Sequence, residues 1–154
     1  MNHSKVNHSR DLRAASSREL AQLEYLLLGD LRHLLSEPVT SQTQQRVATV
    51  LDLMFTMLPS RFELEESGSA LSAVTRRFPN WHDQAMALRL EHAHLFEELR
   101  DLRQAVENEE GYGRLSEEVL AKIGVWIERF QTHEREERRL LLLVTGPVAA
   151  QSDY

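Results

Sequence analysis

Apolar residues recur at alternating spacings of three and four along four long stretches of the chain, a period that predicts amphipathic helices packed in a bundle. The first stretch runs over about residues 17–36. Ser16 and Glu19 form a capping-box signature at its start, and Glu37-Pro38 closes it. Leu20, Leu23, Leu27, Leu28, Leu31, Leu34 and Leu35 make it apolar over more than one stripe, as for a helix with two neighbours. The second stretch follows a Thr40/Ser41 cap with the seam Val47, Leu51, Met54, Leu58, Arg61, Glu65, and Pro59 is expected to kink or split it. Ser67-Gly68-Ser69 should break this helix, with one or two turns over 70–77 and a turn at Phe78-Pro79-Asn80, Asn80 capping the next helix. The third runs from Trp81 to Asn108 with the seam Trp81, Ala85, Leu88, His92, Leu95, Leu99, Leu102, Val106. The fourth begins at a Ser116 cap and extends to about Leu143. Its seam is Val119, Ile123, Trp126, Phe130, His133, Glu137, Leu140, Val144.

Four helices with short connections predict an all-α, up-down-up-down four-helix bundle over residues 16–145, with mobile tails at 1–15 and 146–154. The seams are not wholly apolar. Arg61, Glu65, His92, His133 and Glu137 stand where leucine-like residues are expected, and His133 and Glu137 share a helix face four residues apart. A buried imidazole or carboxylate is costly unless a hydrogen-bond partner, a counter-charge or a metal ion satisfies it. These positions are therefore the candidate chemistry of the chain.

Composition narrows the classes. The 154 residues are 42% hydrophobic and 27% charged, enough for one domain with a real core and too apolar for a disordered chain. A net charge of −6 without a basic cluster argues against nucleic acid as partner. The absence of cysteine excludes disulfides, thiolate metal sites and cysteine catalysis. No apolar run approaches a membrane span and the start lacks the apolar core of a signal peptide, so a cytoplasmic protein is expected. His3, His8, His33, His82 and His94 read as solvated, Trp81 and Trp126 as packing aromatics, and the run Glu134–Arg139 as a solvated face apart from Glu137.

The seam residues resemble the hemerythrin-like, or HHE cation-binding, family. That family carries a histidine on helix one, His-x-x-x-Glu on helix two, Glu-His on helix three and His-x-x-x-Glu on helix four. The corresponding residues here are Glu24-Tyr25, Arg61-Phe-Glu-Leu-Glu65, Glu91-His92 and His133-Glu-Arg-Glu-Glu137, within a match over about residues 18–143. The resemblance implies a non-haem iron site with Glu65, His92, His133 and Glu137 as ligands, mono- or di-nuclear, serving to bind or sense oxygen, nitric oxide or peroxide, or to handle iron and stress. Tyr25 and Arg61 replace two of the family's histidines, and Phe96 stands where the oxygen carriers add another, so carriage of oxygen in the usual way is not implied.

Two pictures use the same residues. In one, the four matched side chains hold a metal ion, Tyr25 is a candidate phenolate ligand, and Arg61, which has no acceptor, lies behind the ligands and bonds a carboxylate. In the other, the Arg61 guanidinium takes the cation's place between Glu65 and Glu137, Tyr25 joins the network, and the bundle is a metal-free interaction or regulatory module. An enzyme, for instance one disproportionating peroxide, is a third reading with no support beyond a tyrosinate ligand.

Overall fold

The computed structural model describes residues 16–67, 76–110 and 115–145; side chains at 17, 64–67, 110, 144 and 145 lie outside the described set, as do the expected tails and the expected break after Ser67. Four long helices are present among the described residues: α1 (Ser17–Ser36), α2 (Ser41–Ser67), α3 (His82–Glu110) and α4 (Glu117–Thr145), with a 3-10 turn at Pro79–Trp81. No strand occurs among the described residues. α1 packs on α2, α2 on α3 and α3 on α4, and α4 returns to α1. The helices thus form a bundle around a shared core.

The ends follow local chemistry. Ser16 has extended backbone and its hydroxyl accepts the Glu19 amide, closing the first turn of α1. The Thr43 amide donates to Thr40 Oγ1 and the Thr40 amide to Thr43 Oγ1, a reciprocal cap for α2. The Val119 amide donates to Ser116 Oγ, and the Glu109 carboxylate at the end of α3 accepts the Ser116 amide at 2.7 Å, tying α3 to α4. α2 continues through Pro59 instead of splitting there. Pro59 is exposed, so its ring and missing amide face away from the packed side. Asn80 lies inside the 3-10 turn, which Pro79 starts with its fixed φ and which runs straight into α3; the expected cap is thus part of the helical turn itself.

The seams become the core. Leu31, Leu51, Met54, Leu95, Leu99, Ile123 and Phe130 are fully buried, each gaining roughly 1.5–3 kcal/mol from leaving water. Trp126 sits among them and donates its indole N–H to the Leu95 carbonyl at 3.0 Å, so α4 is anchored to α3 by a large side chain and a hydrogen bond. Phe55 stacks on Phe96 at 4.8 Å under the Arg103 guanidinium, joining α2 to α3. A smaller cluster of Ala85, Leu88 and Leu140, with Phe78, Trp81 and Leu141 against it, forms beyond His92 and His133. The apolar interior is therefore interrupted by one polar layer.

This burial pattern has a measurable consequence. Leu51→Ala and Leu99→Ala are each expected to lower unfolding free energy by about 2–5 kcal/mol in urea titrations. Leu26→Ala, on the exposed face of α1, should stay within about 0.5 kcal/mol of the parent.

Candidate metal centre

The centre of the polar layer is built on two helices, α3 and α4, by the same spacing that builds the core. On α3, His92 follows Leu88 by four residues and precedes Leu95 by three; on α4, His133 and Glu137 stand between Phe130 and Leu140. All three are buried, His133 completely. One oxygen of Glu137, Oε2, lies 3.3 Å from His92 Nε2 and 3.1 Å from His133 Nε2. One ligand atom from each of the three residues falls within 4.8 Å of the others. The imidazoles meet edge to face with centroids 4.7 Å apart, and Phe62 from α2 stacks flat on His92 at 4.1 Å, fixing its ring plane. The structure brings these three expected residues together.

Glu91 completes the surroundings of His133. Its Oε2 lies 3.3 Å from His133 Nδ1, so a carboxylate backs the nitrogen that points away from Glu137. That arrangement sets which imidazole nitrogen is available as a ligand. Glu91 also forms part of the wall of a cavity of about 480 Å³ between α3 and α4, with Trp81, Leu88, Arg139 and Leu140.

The residues fit a metal ion on two counts. Ligand atoms about 2.0–2.2 Å from one ion are themselves about 3–3.5 Å apart, and both Glu137–imidazole distances lie in that range. Both His133 nitrogens are also buried without a properly aligned hydrogen bond, although carboxylate oxygens lie within ion-pair distance. A fully buried imidazole held near carboxylates but misaligned for hydrogen bonding is poorly served by the protein alone.

The remaining expected residues differ in where they stand. Tyr25, the candidate phenolate ligand, is 79% exposed and turns to solvent, whereas Glu24 is buried at 5%. The reason is the rotation of α1: burying Leu20, Leu27, Leu31 and Leu34 together puts position 24, not 25, on their seam. Glu65, a further expected ligand, has its side chain outside the described residues. Arg61 is inward and meets two carboxylates not expected as its partners: Nε lies 3.6 Å from Glu24 Oε1 and Nη2 lies 3.6 Å from Glu134 Oε2. Phe96, at the position of the oxygen carriers' extra histidine, belongs to the aromatic stack with Phe55.

Glu134 was not expected at the site. It reads as part of a solvated charge run, yet its side chain is only 16% exposed and faces Arg61. The available signal was its spacing, four after Phe130 and three before Glu137, which places it at the margin of the buried seam.

The charges shift two groups. Burial raises the Glu134 carboxyl above its ordinary value; Arg61 pulls against this, and Glu137 adds to it. For His133, burial alone would lower the imidazole, but its contacts with Glu137 and Glu91 outweigh burial and the neighbouring His92, and the net shift is upward.

Comparison with protein-family models, with curated proteins and with solved structures gives no match to this chain. The geometry of the site carries the functional reading.

The pH behaviour of chelator-treated protein follows from the two raised groups. Both hold a proton more tightly in the folded than in the unfolded chain. Their contribution to stability is complete below the unfolded values, 4.5 for Glu134 and 6.5 for His133, and is lost as pH rises through the raised folded values. Melting temperature should therefore fall as pH rises above the unfolded histidine value of 6.5, and His133→Gln should flatten that slope.

Proposed function

We propose that this chain is a hemerythrin-like, up-down-up-down bundle that binds non-haem iron through His92 Nε2, His133 Nε2 and Glu137 Oε2, and offers the ion's remaining positions to a small molecule such as oxygen, nitric oxide or peroxide. The observation that carries this reading is the buried trio with one Glu137 oxygen within 3.3 Å of both imidazoles. Two histidines and one carboxylate, converging from one side, are a ligand set suited to Fe(II) that leaves coordination positions open.

Cross-helix contacts support the alternating topology. Between α2 and α3, Asp52 meets Arg103, Phe55 meets Phe96 and Phe62 meets His92, so one helix ascends as the other descends. From α3 to α4, Leu95 meets Trp126 while His92 meets Glu137, again in opposite senses.

The protein's part would be to hold and shield. Glu91 would keep the His133 Nε2 lone pair directed to the ion, as carboxylate–histidine pairs do at metal sites. Phe62 would hold the His92 ring, and Phe130 would close the site from the core side. When bound, iron would supply an open Lewis-acidic, redox-active position. No described helix is long and apolar enough to cross a membrane.

A second reading has its own observation. Arg61 already lies between two carboxylates, so the polar layer resembles an internal ion network, and a metal-free bundle acting on a protein partner would use the same residues. The two readings differ in what elemental analysis finds.

Protein purified without metal-affinity steps, or given Fe(II) anaerobically, is expected to retain about one iron per chain through gel filtration. His92→Ala, His133→Ala and Glu137→Ala should each abolish retention, and Glu91→Gln should weaken binding about 10–100-fold. Tyr25→Phe should leave both iron content and optical spectrum unchanged. An iron-free wild-type chain under these conditions would reject this assignment in favour of the network.

A further inference from the structure

The sequence leaves Arg61 two roles, bonding a carboxylate behind the ligands or replacing a cation, and its surroundings bear on the choice. Its guanidinium is 13% exposed and reaches Glu24 on α1 and Glu134 on α4, each at 3.6 Å. These two carboxylates are themselves only 7% and 16% exposed. Glu134 is also next in sequence to His133 and one turn before Glu137, and its carboxyl senses the charges of Glu137, His133 and His92. Among the described residues the polar layer thus has two compartments. One is the His92–His133–Glu137 trio, and beside it Glu24 and Glu134 enclose a fixed positive charge.

We infer that the Glu24–Glu134 compartment is a second cation position in which the Arg61 guanidinium is the resident cation, so that Arg61 limits the bundle to a single metal ion. This deepens the metal reading and rests on the same polar layer. The chemistry is that of charge replacement. Two buried carboxylates from different helices need a positive charge between them, because neither can regain its hydration. A guanidinium cannot lose its proton or leave, so it meets this need at every pH the fold survives. It also keeps a dication out of the compartment by like charge and by volume. If the tethered cation is removed, two oxygen donors remain facing the vacated volume. An all-oxygen set of this kind suits a hard divalent ion such as Mn(II).

The test is the number of Mn(II) ions held per chain, by elemental analysis after gel filtration, in wild type, Arg61→Met and Glu24→Gln/Arg61→Met. Methionine keeps an apolar stem in the bundle and removes the charge. Arg61→Met is expected to hold one more Mn(II) than wild type, and the double variant to return to the wild-type count. A folded Arg61→Met chain with the wild-type count would overturn the inference. Should Arg61→Met fold only when Mn(II) is present, its count in that state decides in the same way. Should it fail to fold even with Mn(II) while the double variant folds, the carboxylates do not accept an ion and the inference is wrong. The wild-type count separates this result from the metal reading itself. A wild type that holds none would count against the trio as a metal site, while the increment in Arg61→Met would still decide the second position.

Discussion

One carboxylate oxygen, Glu137 Oε2, faces two imidazole nitrogens inside a core otherwise made of leucine, methionine and aromatic side chains. Burying those groups costs several kcal/mol each unless charge and hydrogen-bonding capacity are matched. Much of the surrounding detail answers that cost. Phe62 stacks on one ring, Glu91 backs the other, and the large apolar cluster on one side and the Ala85–Leu88–Leu140 cluster on the other keep the layer dry. Within this layer His92 Nε2 is hydrogen-bonded to Glu137, whereas both His133 nitrogens sit near carboxylate oxygens without aligning to them.

The same accounting explains why three further ionisable groups turn inward. Glu24, Arg61 and Glu134 come from α1, α2 and α4, and their charges oppose each other across the bundle. Each alone would be a costly intrusion; together they link α1 and α2, which contribute no imidazole to the trio, to α4, which contributes His133. The guanidinium draws off the negative charge that Glu134 would otherwise press upon Glu137. Local electrostatics and helix packing are here one problem, since removing a charge from this layer changes both.

Much of this arrangement was legible in the amino-acid sequence. Helix number, the caps at Ser16, Thr40 and Ser116, and the core identity of Leu51, Leu99 and Trp126 follow from period and capping chemistry. Both act within a few residues of chain. His92, His133 and Glu137 could be placed on facing seams for the same reason: each lies in a stripe whose phase its apolar neighbours define on both sides. The resemblance to hemerythrin-like proteins added an expected metal to those positions, and the trio's geometry is compatible with it.

Where the phase is ambiguous, only the tertiary structure decided. α1 carries leucines on more than one stripe, so its sequence admits two rotations; packing against α2 and α4 chose the one that buries Glu24 and exposes Tyr25. Arg61 has a long side chain whose reach exceeds what seam position specifies, and the carboxylates it meets lie on helices distant in sequence. Glu134 sits at the margin of its seam, where burial depends on a neighbouring helix and not on its own. Periodicity determines which side of a helix is apolar. Which polar groups meet across a bundle is settled by the relative rotation and separation of helices, and those are properties of the packed core as a whole.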